Sequence, residues 1–190
     1  MKSTLAILSL AGSHFAAGAI TVQSYSHTPA PSSSYPDSGT QELTDGIANV
    51  PTWGGGNTIT SGDIGPFVGW LFTDASTTFT FDNSYTVGRV TVWAADSDGA
   101  AGVGLPLTIT LTDPNSSFTQ TFNVTNPVGA GYMLPIVLDG FSVNTNQLQV
   151  SFTRGQAWTM LSEVSFEAVP EPSSGILMAV TSLFIFRRKR

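Results

Sequence analysis

The sequence contains no cysteine, which removes disulfides, thiolate nucleophiles and cysteine-based zinc sites together. It is also poor in charge: 11% of its 190 residues are charged, where an ordinary soluble domain carries about 25%. Basic residues are scarcest. Lys2 stands at the start and Arg187, Arg188, Lys189 and Arg190 at the end, so only Arg89 and Arg154 serve the chain between. Over residues 20–169 those two arginines face twelve acids, a net of −10. No basic surface is left to meet a phosphate backbone, which excludes nucleic acid as a partner. Beyond residue 19 the only histidine is His27. Its surroundings lack a nucleophile-elbow pattern, so no hydrolase triad can be assigned and the chain does not read as an enzyme. Lys and Glu are few while Gly and Pro number 19 and 11, which argues against a helical bundle. Apolar residues are plentiful at 41%, too many for intrinsic disorder.

Both ends read as addresses. Met1-Lys2 is followed by apolar Leu5–Ala11 and by small residues ending in Ala17-Gly18-Ala19. That order makes residues 1–19 a secretory signal peptide, cleaved after Ala19. At the other end, Val169-Pro170-Glu171-Pro172 leads into an apolar stretch and then Arg187-Arg188-Lys189-Arg190. The prolines stop any preceding strand, and the basic run is held on the cytoplasmic side. The apolar segment Ser173–Phe186 has 14 residues, short of the roughly 20 of a comfortable span. The order Pro170, Glu171, Pro172, hydrophobic helix, Arg187–Arg190 resembles the PEP-CTERM sorting signal, over residues 169–190. The resemblance implies an exosortase-type processing enzyme as partner. It also implies a short C-terminal transmembrane helix with the body outside, then delivery to the cell surface or extracellular matrix. An ordinary membrane anchor that is never processed is the alternative.

Residues 20–168 alternate with a period of two. Val90–Ala94, Leu107–Thr112, Gln147–Phe152 and Glu163–Ala168 each place apolar residues on one face and polar residues on the other; Thr77–Phe81 and Phe118–Val124 add two more candidates. One dry and one wet face per strand is the antiparallel signature. Turn signals separate the runs at Asp82-Asn83-Ser84, Asp96–Gly104, Asp113-Pro114-Asn115, Asn126-Pro127 and Asp139-Gly140. The expected fold is all-β, an antiparallel β-sandwich of jelly-roll type.

Particular segments carry a second resemblance. Glu42-Leu43-Thr44-Asp45-Gly46, then Trp53, Gly69-Trp70, Thr78–Asp82, Gly102–Pro106 and the closing Leu161–Phe166 strand occur in this order. The order is similar to the galactose-binding-like (discoidin, coagulation factor type C) sandwich, which includes many carbohydrate-binding modules. The resemblance implies one structural calcium held by Asp45, Glu163 and carbonyls such as that of Leu43. Calcium takes six to eight oxygens from carboxylates and carbonyls. This chain departs from the family in having Ile47 after Asp-Gly. The other reading stays open: Asp45 caps its own turn, and Glu163 is solvated at a strand end.

Aromatic rings are the usual sugar platform, because a ring face stacks on pyranose C–H groups. Trp53, among Gly54-Gly55-Gly56, is the best candidate, while Trp70, Trp93 and Trp158 fall in strands and read as core. Arg154 stands at a tight turn and could donate to a sugar hydroxyl. Asp98 belongs to the glycine-rich connection Asp96–Gly104, which lacks EF-hand spacing and reads as a rim loop where ligands bind. These features point to a non-catalytic module binding extracellular polysaccharide; a structural matrix protein without a defined ligand is the first alternative, and a secreted hydrolase the second.

Overall fold

Most strands in this chain are built from alternation rather than from apolar runs, so they bury one face. A computed structural model describes residues 18–37, 41–48, 67–97, 100–127 and 132–169. Its strands are β1 (Val22–Thr28), β2 (Val68–Leu71), β3 (Ala75–Asp96), β4 (Thr108–Thr112), β5 (Thr119–Asn123), β6 (Tyr132–Leu138), β7 (Val143–Thr153) and β8 (Trp158–Ala168). All their pairings are antiparallel. Among the described residues the only helical segments are two 3₁₀ turns, Glu42–Thr44 and Ala100–Gly102.

The architecture turns on β3. Its first part, Ala75–Thr80, lies between β1 and β7. Its last part, Val90–Ala94, lies between β6 and β8. Register shifts between Thr80 and Tyr85, where exposed Asp82-Asn83-Ser84 sit. The sequence marks those three residues as a turn between two strands. They form instead an irregularity inside one 22-residue strand, which stays on β7 through Val87 and passes to β8 and β6 over Val87–Val90. One layer therefore runs β1-β3-β7-β4-β5 and the other β2-β8-β3-β6. Together they make the antiparallel β-sandwich.

The inward faces meet as rings. Phe79 of the first layer lies 4.9 Å from Phe166 of the second, and Phe81 lies 5.0 Å from it. Trp70 on β2 tilts against Phe152 on β7 at 6.2 Å. Ile109, Leu111, Leu148, Val150, Val92 and Val164 fill the space around them. Trp70 is 1% exposed and its indole N–H donates to the Pro29 carbonyl at 3.1 Å. Trp93 and Trp158 are only half-buried and pack on a second cluster with Phe67, Val103, Met133 and Met160. Leu107, placed by the alternation on the inner face, sits just before β4 and is exposed. Several strands depart from alternation: β2 buries Val68, Gly69 and Trp70 in succession, and β8 buries six residues in succession from Thr159 to Val164. In β6 Pro135 interrupts the pattern, and among the described residues the strand pairs only with β3, the edge position that proline tolerates. In β1 the inward residues are Val22, Tyr25 and His27, with only one aliphatic among them.

Candidate functional site

Two constellations stand out in the compact unit Ala19–Val169. The first joins two acids distant in sequence. The 3₁₀ turn Glu42–Thr44 is anchored by Leu43, whose side chain is fully buried and whose N–H donates to the Tyr25 hydroxyl at 3.1 Å. The turn runs into Asp45 and then Gly46, at φ 83, a left-handed conformation suited to glycine. Gly46 N–H can then donate to Glu163 Oε2 at 3.1 Å. Ser162 Oγ donates to the Ala48 carbonyl at 2.8 Å, tying the same loop to β8. Asp45 also caps its own turn, accepting from Ile47 N–H at 2.8 Å.

Glu163 is not a solvated strand-end residue. It lies within β8, 7% exposed, and burial pushes its carboxyl up to about 7. The Gly46 N–H opposes that shift, and the neighbouring Asp45 charge adds to it. Arg89, one of the two arginines of the body, is engaged elsewhere, with Asp139 and Glu167. A buried, proton-retaining carboxyl beside a second carboxylate is a donor set that suits a hard cation. Asp45, Glu163 and the Leu43 carbonyl fit calcium in chemistry. Among the described residues no group of three or more His, Cys, Asp or Glu side chains gathers, so backbone oxygens would complete the shell.

The second constellation is at one end of the sandwich, where three segments meet. The β7–β8 turn, Arg154–Ala157, lies at the centre. Arg154 N–H donates to Asp74 Oδ1 at 2.9 Å, and Phe72 N–H donates to the Ala157 carbonyl at 2.7 Å. These bonds lace it to the β2–β3 turn. On its other side Leu107 N–H donates to the Thr153 carbonyl at 2.7 Å. There Gly155 has no room for a side chain: a Cβ would collide with the Leu105 carbonyl.

Sequence reading missed the residue that dominates this end. Phe72 is 66% exposed and has φ 54, a left-handed conformation in a bulky residue. Such strain persists where the surroundings impose it, and it concentrates at functional positions. Leu71 and Leu107 are exposed nearby in the same segments. The main chain of the Arg154 turn is bonded to Asp74 and Phe72; an exposed ring offers a stacking face and a guanidinium a donor fork. Arg154 is thus placed on this surface. Trp53 and Asp98 lie outside the described residues, as do Pro170, Glu171, Pro172, Arg187, Arg188, Lys189 and Arg190 of the sorting motif.

His27 is an interior residue rather than a surface one. Its Nδ1 is 2.9 Å from Thr77 Oγ1 and its Nε2 is 3.0 Å from Asp37 Oδ2, with the two side chains 9% and 6% exposed. The connectivity imitates a hydrolase triad. Thr77, however, is fully buried and the imidazole is flanked edge-on by Tyr25 and Trp70, so no substrate carbonyl can reach the hydroxyl. The network instead fixes β1 to β3 and to the Tyr35–Asp37 segment.

No protein-family profile matches the sequence, and no characterised protein matches it by sequence. Solved structures do match the fold. The lectin domain of lectinolysin, solved with Lewis B antigen, is 12% identical with a TM-score of 0.52 over 77% of this chain and 92% of its own. A Streptococcus pneumoniae fucose binding module is 15% identical with a TM-score of 0.51, over 76% and 90%. CBM32-3 from a family 31 glycoside hydrolase of Clostridium perfringens is 10% identical with a TM-score of 0.50, over 78% and 91%. The chain spans 28% of the longer SpGH29 chain. At these identities the likeness shows the fold: an antiparallel β-sandwich of the kind used by carbohydrate-binding modules.

Proposed function

We propose that this is an exported protein whose body is a non-catalytic carbohydrate-binding module, with the Phe72–Arg154 end as its sugar-contacting surface. One observation carries the reading: the Phe72 ring is held in solvent on a strained backbone, beside the Arg154 turn. Core packing does not account for an exposed ring in that conformation, whereas stacking on the C–H face of a pyranose does. Arg154 donates to sugar hydroxyls; Trp53 and Asp98 remain ligand candidates on the sequence alone. The neighbours, one solved with Lewis B antigen and one a fucose binding module, support the ligand class. The body's net charge of −10 favours neutral sugars over uronates. A single ring and few donors give weak affinity, about 0.1–1 mM.

The rest of the reading concerns address and metal. The N-terminal leader directs export, and the Pro-Glu-Pro tail directs handling by an exosortase-type enzyme after transient membrane anchoring. The product stays at the cell surface or in the extracellular matrix. Calcium at Asp45, Glu163 and Leu43 would supply a structural clip between β8 and the Leu43–Ala48 loop, which limits unfolded-state freedom in a chain without disulfides. Titration of residues 20–169 against a panel of neutral glycans tests the function. Phe72→Ala and Arg154→Ala should each weaken binding without unfolding the body. A body that binds nothing on a broad panel is a matrix protein without a ligand, and the proposal fails.

A further inference from the structure

The outer face of the β1-β3-β7-β4-β5 layer has a composition unlike the rest of the body. Register sets its side chains in rows across the strands. One row is Thr28, Ser76, Ser151, Thr110 and Thr121. The next is Ser26, Thr78, Gln149, Thr112 and Thr119. Ser24, Thr80 and Gln147 begin a third on one flank, and Thr153, Thr108 and Asn123 a fourth on the other. Every one of these residues is exposed or half-exposed. Within these rows there is no charged side chain and no aromatic ring, in a body that carries twelve acids.

The rows are internally ordered. Thr110 and Thr121 hydroxyls are 2.9 Å apart, and those of Thr112 and Thr119 are 3.4 Å apart. Gln149 Nε2 donates to Thr78 Oγ1 at 3.3 Å, and Gln147 Nε2 to Thr80 Oγ1 at 3.1 Å. A hydroxyl in such a bond keeps a further donor or acceptor position for a ligand. The result is a fixed grid of donors and acceptors about 4.8 Å apart across strands and about 6.8 Å apart along them.

We infer that this face is a second binding surface, for a chain of neutral polysaccharide lying across the strands. The partner must be uncharged, because the rows offer no counter-ion and the body carries a net charge of −10. It must be rich in hydroxyls, because each row can satisfy nothing else. It must be polymeric, because without a ring to stack on, one sugar gains only hydrogen bonds that it already makes with water. Many weak contacts on one chain add through effective concentration. A sheet's twist of about 20–25° per strand also suits a flexible chain better than a flat crystal surface. This face shares only the ligand class with the proposed function; its site is separate from the Phe72 end.

Affinity gel electrophoresis of residues 20–169 in dextran, glucomannan or xylan, with alginate as the acidic comparison, tests the inference. At least one neutral polymer should retard the body, and retardation should fall away as the polymer is shortened to a few sugars. The quadruple variant Thr110→Val, Thr112→Val, Thr119→Val, Thr121→Val keeps shape and strand propensity while removing hydroxyls. It should lower polymer affinity by about tenfold or more and leave oligosaccharide binding at the Phe72 end unchanged. Phe72→Ala should do the reverse. Unaltered retardation of the quadruple variant, equal retardation in alginate, or no retardation by any neutral polymer overturns the inference. Thermal melts of each variant separate lost contacts from lost fold. Should the valine variant fail to fold, Thr121→Asn with Thr119→Asn at the edge strand gives the same reading by altering the grid.

Discussion

Glu163 offers the sharpest test of how this sandwich is held together. Its carboxyl has a pKa of about 7 in the folded protein, up from an ordinary 4.5, with burial as the main cause. The folded state therefore holds the proton more tightly than the unfolded state does. The stabilisation linked to that proton is complete below pH about 4.5 and is lost as pH rises through about 7. A full shift of this size is worth about 3 kcal/mol; water reaches part of the group, so about 2 kcal/mol is the fair expectation. Glu163→Gln keeps the acceptor for Gly46 N–H and removes the titration. Chemical denaturation at pH 5 and pH 8 in chelator should show the wild type losing about 2 kcal/mol more than the variant between the two, or about 5 °C in melting temperature. Comparison with the variant cancels the other carboxylates.

Calcium adds the second half. A bound cation needs the deprotonated carboxylate, so its stabilisation of the wild type, RT ln(1 + [Ca]/Kd), should be small at pH 5 and grow towards pH 8. Glu163→Gln and Asp45→Ala should each remove that gain. A wild type and a Gln variant with parallel pH profiles would refute the burial argument. A pH-dependent wild type indifferent to calcium would leave Asp45 as a turn cap and Glu163 as a shared-proton contact.

Other outcomes follow from the same geometry. Phe72→Gly should stabilise the fold by about 1 kcal/mol, since glycine tolerates φ 54, while glycan binding measured by titration is lost. Trp70→Ala should cost about 3–5 kcal/mol in denaturant unfolding, as the residue is buried and its indole N–H is bonded to Pro29. Asp37→Ala should cost about 1–3 kcal/mol by leaving His27 Nε2 without its partner, with glycan affinity unchanged; lost affinity in a fully stable variant would mean that the network acts on ligand. Replacing Arg187–Arg190 with neutral residues should mislocalise the full-length protein in cell fractionation, because the short apolar segment alone inserts marginally; unchanged surface delivery would count against an exosortase-type signal.

The fold was legible because alternation of apolar and polar residues is a local property. Ile109 and Leu111, or Leu148 and Val150, declare their burial within a five-residue window. What stayed hidden was non-local. The Asp82–Ser84 turn signal is the same whether two strands end there or one strand runs on; only the partners of Thr80 and Tyr85, both on β7, decide. The burial of His27 is not legible locally, because its two partners lie ten and fifty residues away. Asp45 and Glu163 were paired by resemblance, not by spacing, and the structure brings Gly46 onto Glu163 across 117 residues.

Phe72 shows why binding residues resist prediction more than core residues do. In Gly69-Trp70-Leu71-Phe72 the pattern offers two aromatics of equal standing. Trp70 faces Phe152 and vanishes into the core; Phe72, two residues on, should follow it on the same face of the strand. It does not, because β2 ends at Leu71 and the chain turns left-handed at Phe72. The bond from Phe72 N–H to the Ala157 carbonyl fixes that turn, and Ala157 is positioned by the packing of Gly155 beneath Leu105. A residue of the β7–β8 turn thus decides which way an aromatic 85 residues earlier points. Gly155→Ala is the direct test of that chain of causes. Its methyl would push the turn off Leu105, release the Phe72 turn and let the strand continue, and glycan affinity should fall although neither Phe72 nor Arg154 has changed. Unimpaired binding in a folded Gly155→Ala protein would mean that the β2–β3 segment holds Phe72 outward by itself.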